Sequence, residues 1–253
     1  MGGETCHLQI WNAFVVAMWD QSAAGSVATD VGGRGLWQGL SVLLVETFAA
    51  GPLQCNCSVL ACPDTNDAVV IDPGGETERI AEIVAHYHLT VRSIIHTHGH
   101  IDHIYCTHDV KRAHGGEICL HRDDVYLYDG FHQQCAIFGL ARRGVSPIDR
   151  FVAHGDRIAV GKLGIDVIHT PGHTPGSICF EVNDGPRTIL FVGDTLFRRS
   201  VGRTDLPGGD SGALRRSIRE RLYTRNPGAV VVPGHGPSTT LAEEARGNPY
   251  VHL

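Results

Sequence analysis

The chain has 253 residues, 42% hydrophobic and 19% charged, a balance that excludes disorder over its whole length and fits one large domain or two small ones. Lys plus Arg number 21 against 27 Asp plus Glu, and the resulting net charge of −6 argues against a nucleic-acid or anionic-membrane partner. Sixteen His are more than packing or solubility requires, and imidazole is the commonest metal ligand.

Residues 1–40 are rich in Gly, Ala and Ser and show no sustained period, so they are expected to form an N-terminal extension, disordered or lying on the surface. Ile10–Trp19 is apolar but too short to span a bilayer, and no basic stretch precedes it as in a secretory signal. Residues 41–253 are expected to form the folded domain. Ser41–Phe48 and Ser58–Cys62 read as strands around a Gly51-Pro52 turn, and Ala68–Asp72 as a buried strand stopped by Pro73-Gly74-Gly75. Apolar residues at Ile80, Ile83 and Val84 predict a helix over Thr77–His88, and Val91–His96 is the next buried strand. Helical and extended segments then alternate over 109–114, 117–121 and 122–128. Strands follow near 157–160, 163–169, 177–183 and 187–193, then a helix–strand–helix set over 211–223, 229–233 and 240–246. Two runs of strands, each interleaved with helices, predict an α/β sandwich in one domain.

The eight Cys form no CxxC pair and no framework spacing. Several sit in apolar, strand-like surroundings, as small hydrophobes do, so reduced thiols and a cytoplasmic location are expected.

Four segments carry chemistry, each placed at the end of a predicted buried strand. Thr97-His98-Gly99-His100-Ile101-Asp102-His103 packs three imidazoles and a carboxylate into six residues. Gly99 is expected to permit the bend that lets them converge. Thr170-Pro171-Gly172-His173-Thr174-Pro175-Gly176, Gly193-Asp194-Thr195 and Pro233-Gly234-His235-Gly236-Pro237 add two imidazoles and a carboxylate. All four can face one cleft. Nitrogen and carboxylate donors without Cys suit Zn²⁺, Fe or Mn. His96 and His169 are expected to support neighbouring ligands or loops, and His86, His88, His108, His114, His121, His132 and His154 to lie at the surface or at helix ends.

These four segments, in this order and spacing, resemble the metallo-β-lactamase superfamily. Gly51-Pro52-Leu53-Gln54-Cys55-Asn56-Cys57, Gly202-Arg203-Thr204-Asp205-Leu206-Pro207-Gly208-Gly209-Asp210 and Asn248-Pro249-Tyr250 make the chain similar to the glyoxalase II-like hydrolases and their persulfide dioxygenase relatives. The resemblance runs from about residue 42 onward. It implies an αββα sandwich, two mixed sheets face to face with helices outside. It also implies a two-metal site, with His98, His100 and His173 on one divalent ion, Asp102, His103 and His235 on the other, and Asp194 bridging. Zinc is the first choice of metal, with iron or manganese also admitted. The implied reaction is attack by a metal-bridging hydroxide, held by Asp102 as catalytic residue, on a small-molecule thioester such as S-D-lactoylglutathione. Arg198, Arg199 and Arg203 are the expected substrate contacts, because glutathione is anionic. The helical C-terminal domain of two-domain glyoxalase II enzymes has no counterpart after His235, which points to the single-domain branch. A mononuclear iron persulfide dioxygenase using His98, His173 and Asp194 is the alternative, ahead of a lactonase or β-lactamase.

Overall fold

The computed structural model describes residues 43–252 apart from Pro186, so the proposed extension over 1–40 lies outside the described residues. The chain lays down β1 (Leu44–Ala50), β2 (Cys55–Ala61), β3 (Asp67–Ile71), α1 (Thr77–His86), β4 (Thr90–Ile95), α2 (Ile101–Ile104) and α3 (Thr107–His114). β5 (Glu117–Leu120), α4 (Val125–Asp129), α5 (Phe131–Ile137) and β6 (Arg150–Phe151) complete the first half. The second half holds β7 (Arg157–Val160), β8 (Leu163–His169), β9 (Ile178–Asp184), β10 (Arg187–Gly193) and a small hairpin, β11 (Leu196–Phe197) with β12 (Ser200–Val201). It ends with α6 (Ser211–Ser217), β13 (Val230–Pro233), β14 (Thr239–Thr240) and α7 (Leu241–Gly247).

The first sheet runs β1-β2-β3-β4-β5-β6, antiparallel to β3 and parallel from there. The second runs β14-β13-β10-β9-β8-β7, antiparallel except where β10 meets β13. Alternation along single strands builds the layers. In β9, Ile178, Phe180 and Val182 enter the core shared with Val69, Ile71 and Ile95 of the first sheet, while Cys179 points to the opposite face. That outer face packs on Leu214, Ile218, Leu222 and Leu241 of the C-terminal helical segments. Val59, Val70 and Ile94 likewise meet Ile80 and Ile83 of α1 and Val110 of α3. The result is the expected αββα sandwich of two mixed sheets.

The early strands are shifted from their predicted bounds: β1 extends to Ala50, and β2 begins at Cys55. The two-residue strands β6, β11, β12 and β14 and the four-residue α2 are too short to show a period. All seven cysteines among the described residues are free and buried, as expected of reduced thiols. No helix among the described residues is long and apolar enough to cross a membrane.

Candidate metal centre

Seven side chains converge from loops and the short helix α2 at one edge of the two sheets. His98, His100, Asp102 and His103 follow β4, while His173 follows β8, Asp194 follows β10 and His235 follows β13. Three overlapping triads have donor atoms close enough to share an ion: His98, His100 and His173; His98, His103 and Asp194; Asp102, His103 and His235. Nε2 of His173 lies 3.2 Å from Nε2 of His98 and 2.9 Å from Nδ1 of His100. Nε2 of His235 is 3.0 Å from Oδ2 of Asp102. His103 Nε2 stands 3.7 Å from Asp102 and 3.5 Å from Asp194.

The Nδ1 atoms of His173, His235 and His103 face oxygen acceptors, which leaves Nε2 of these three rings turned inward, whereas His100 turns Nδ1 inward. His173 Nδ1 donates to the carbonyl of Arg203 at 2.8 Å, and His235 Nδ1 to that of Gln54 at 3.2 Å. His103 Nδ1 meets Oδ2 of Asp72 at 3.0 Å. Asp72 also accepts the backbone N–H of Thr97 at 2.8 Å and its hydroxyl at 2.7 Å. It does so from a left-handed backbone (φ 50°), a conformation that costs a non-glycine residue about 1–2 kcal/mol and is held here by those bonds.

Asp124 plays a second supporting part. Its carboxylate, 0% exposed, accepts the N–H of Gly99 at 2.9 Å, the N–H of Gly176 at 2.7 Å and the hydroxyl of Thr174 at 2.8 Å. It therefore joins the loop bearing His98 and His100 to the loop bearing His173. Neither Asp72 nor Asp124 stands out in the sequence. The one signal is Asp72 at a strand end before Pro-Gly-Gly. Gly99 is glycine for a different reason from the one expected: its φ is not positive, but a Cβ there would lie 2.8 Å from Leu127 and 3.0 Å from the Asp124 carbonyl.

The electrostatics suit a cation. Burial, then the neighbouring rings of His103, His173 and His100, push the pKa of His98 well below the usual imidazole value. Burial and His173 bring His100 down to about 4. Burial opposes ionisation of Asp102, yet His103 and His235 outweigh it and hold its carboxyl well below the usual range. Asp194 is held down in the same sense, against burial, chiefly by His103. Burial also opposes a charge on His103, but Cys55, Asp102 and Asp72 together raise its pKa. The Asp102 hydrogen bond raises the pKa of His235 likewise, so His98 and His100 present neutral nitrogen lone pairs beside the ionised Asp102 and Asp194, while His103 and His235 favour a proton that a bound cation would displace.

His103 Nε2 and Asp194 Oδ1 are buried with no hydrogen-bond partner. Orphaned buried polar atoms cost about 1–3 kcal/mol each, and a shared cation would satisfy both. The residues present therefore fit a divalent pair. Gly234 leaves room beside them, since a Cβ there would stand 2.2 Å from Oδ1 of Asp194.

The expected substrate arginines separate. Phe197 turns its ring toward His235, 6.3 Å away, whereas Arg198 and Arg199 line a cavity against α7 whose walls include none of the seven donors. Arg203 stays with the metal centre through its carbonyl, and its exposed guanidinium pairs with Asp205 at 2.7 Å. His96 is fully buried, with Nε2 3.2 Å from the Thr107 hydroxyl. His121, expected at the surface, is buried and stacks on His169 at 4.3 Å with the rings nearly parallel. That pair and Asp123 form a further triad of close donor atoms. Parallel rings direct their in-plane lone pairs side by side rather than at one point, which disfavours a shared ion.

A sequence model of the Metallo-beta-lactamase superfamily matches residues 50–235. The hydroxyacylglutathione hydrolase GloC of Haemophilus influenzae is 34% identical over 210 residues, covering 82% of this chain and 98% of that protein. Among solved structures, the BLEG-1 B3 metallo-beta-lactamase aligns with a TM-score of 0.75 and 32% identity, over 82% of this chain and 99% of the other. TTHA1623 in a di-iron-bound form aligns at 0.69 with 36% identity, over 84% and 100%.

Proposed function

Because the chain belongs to the metallo-beta-lactamase superfamily, we propose that it is a two-cation hydrolase of hydroxyacyl thioesters, with S-D-lactoylglutathione or a close analogue as substrate. The observation that carries this reading is the likeness to GloC over nearly all of that protein's length. His98, His100 and His173 would hold one cation, Asp102, His103 and His235 the other, and Asp194 both. When bound, such a pair lowers the pKa of a shared water towards neutrality and polarises the carbonyl under attack. Asp102, already ionised, is placed to accept a hydrogen bond from the attacking water and so fix its orientation. The leaving thiol has an intrinsic pKa near 8.5, so its departure as thiolate needs no general acid from the chain. Arg203 is the arginine retained as a substrate contact. Its pairing with Asp205 is exposed and costs little to exchange for a substrate carboxylate.

The test is metal analysis of the purified protein beside hydrolysis of S-D-lactoylglutathione. About two metals per chain with thioester turnover, lost to a chelator and restored by Zn²⁺, Fe or Mn, is the expected result. A β-lactam run alongside covers the likeness to BLEG-1, and its turnover without thioester hydrolysis would replace the reading. His98, His173 and Asp194 also compose a two-histidine, one-carboxylate set, with His173 Nε2 3.6 Å from Asp194 Oδ2. One iron per chain with oxygen uptake on glutathione persulfide would move the function to a dioxygenase.

A further inference from the structure

We propose that the cavity between the β11–β12 hairpin and α7 is a binding site for a small phosphate-type polyanion, built by Arg198, Arg199 and Arg246 and separate from the metal centre. The cavity has a volume of about 540 Å³. That lies within the range of small-molecule sites, roughly 300–1,000 Å³.

Its charges are unevenly committed. Both carboxylates in the wall are taken up by neighbours within the protein. Glu244, 0% exposed, accepts the Thr239 hydroxyl at 2.7 Å, the N–H of Arg199 at 2.8 Å and the Asn248 amide at 2.9 Å. Glu243 accepts the Thr239 hydroxyl at 3.0 Å and the N–H of Thr240 at 3.1 Å in the capping box of α7. The three guanidinium groups pair with no carboxylate among the described residues, although Arg198 acts on Glu243 through space. Three fixed cations thus face two carboxylates already engaged, which leaves the arginine forks free for an oxyanion.

Arg199 shows that the arrangement is held rather than incidental. It is one of six non-glycine residues with positive φ among the described residues, at 62°, and the buried Glu244 fixes its N–H in that strained turn. Gly247 makes room for its guanidinium, because a Cβ there would lie 2.5 Å from Arg199 Nη1. A helix C-terminus favours a cation and accounts for Arg246 alone. It does not account for the two arginines brought against it from a different hairpin.

The inference does not depend on the substrate of the metal centre. Isothermal titration of the metal-loaded protein with pyrophosphate tests it, in wild type, Arg246→Gln, Arg199→Gly and Arg157→Gln. Arg157 is an exposed arginine on β7 paired with Asp166 and serves as the control. One pyrophosphate per chain is expected, with affinity about tenfold weaker or worse in the first two variants and unchanged in the control. Absence of binding in wild type, or equal losses in the control, would overturn the site. So would unchanged binding in Arg246→Gln, which would assign the anion to the metal centre instead.

Discussion

Asp124 holds Gly99 by a 2.9 Å hydrogen bond from the glycine N–H, and the same carboxylate takes the N–H of Gly176 from the other half of the sandwich. Replacing it with Ala removes the acceptor for three buried donors at once. A stability loss of about 2–4 kcal/mol is expected, with weaker metal retention because the two ligand loops lose their common tie. Urea denaturation and metal analysis of the same preparation check both effects. An unchanged metal affinity would mean that the loops are positioned by other contacts.

Asp194→Ala should lose metal and activity together, since its two oxygens face rings of both triads. His121→Ala should leave metal content and turnover close to wild type, despite its burial against His169. Elemental analysis of the two variants decides this. Full metal content in Asp194→Ala would refute the bridging role.

Two glycine substitutions separate close approach from backbone strain. A Cβ at Gly74 would stand 1.7 Å from the carbonyl of Asp102, so Gly74→Ala must displace the ligand loop or the strand end. A loss of about 3 kcal/mol or more is expected, with impaired activity. Gly185, at φ +59°, has no atom within 4 Å of its built Cβ, and Gly185→Ala should cost only about 1 kcal/mol with activity retained. Denaturant midpoints and turnover measured side by side would show whether the difference holds.

Burial pushes the thiol of Cys119 up to about 12 and that of Cys179 up to about 11. The thiolate is the reactive form, and a raised pKa keeps it scarce until pH approaches that value. Neither residue should react with a thiol reagent at pH 8 in the native protein, and both should react in guanidinium chloride. Mass-spectrometric mapping of the label reads this directly. Prompt labelling of either thiol under native conditions would contradict its burial.

The seven donors were legible because their types recur at close spacing beside strands whose apolar runs mark them as buried. The sandwich was legible for a related reason, since alternation in segments such as Ile178–Val182 declares two faces. What stayed hidden depends on distant contacts. Asp72 and Asp124 each reach partners 25 or more positions away, and an isolated Asp beside a turn has an ordinary local explanation. The direction of Arg198 and Arg199 was hidden too, because a left-handed arginine turns the hairpin toward α7 where the sequence alone suggests proximity to Asp194. Short helices such as α2 carry too few residues for a period to be seen.

The donors are divided between the halves of the sandwich, four after β4 in the first and three spread over the second. A growing chain emerging N-terminus first would therefore present His98, His100, Asp102 and His103 long before His235 exists. Folding of the early half during synthesis can make only an incomplete, weakly binding set. Metal capture at full strength would have to wait until the second sheet has been made and docked, so a bound cation would act as a late seal on a finished molecule rather than as a nucleus for its folding.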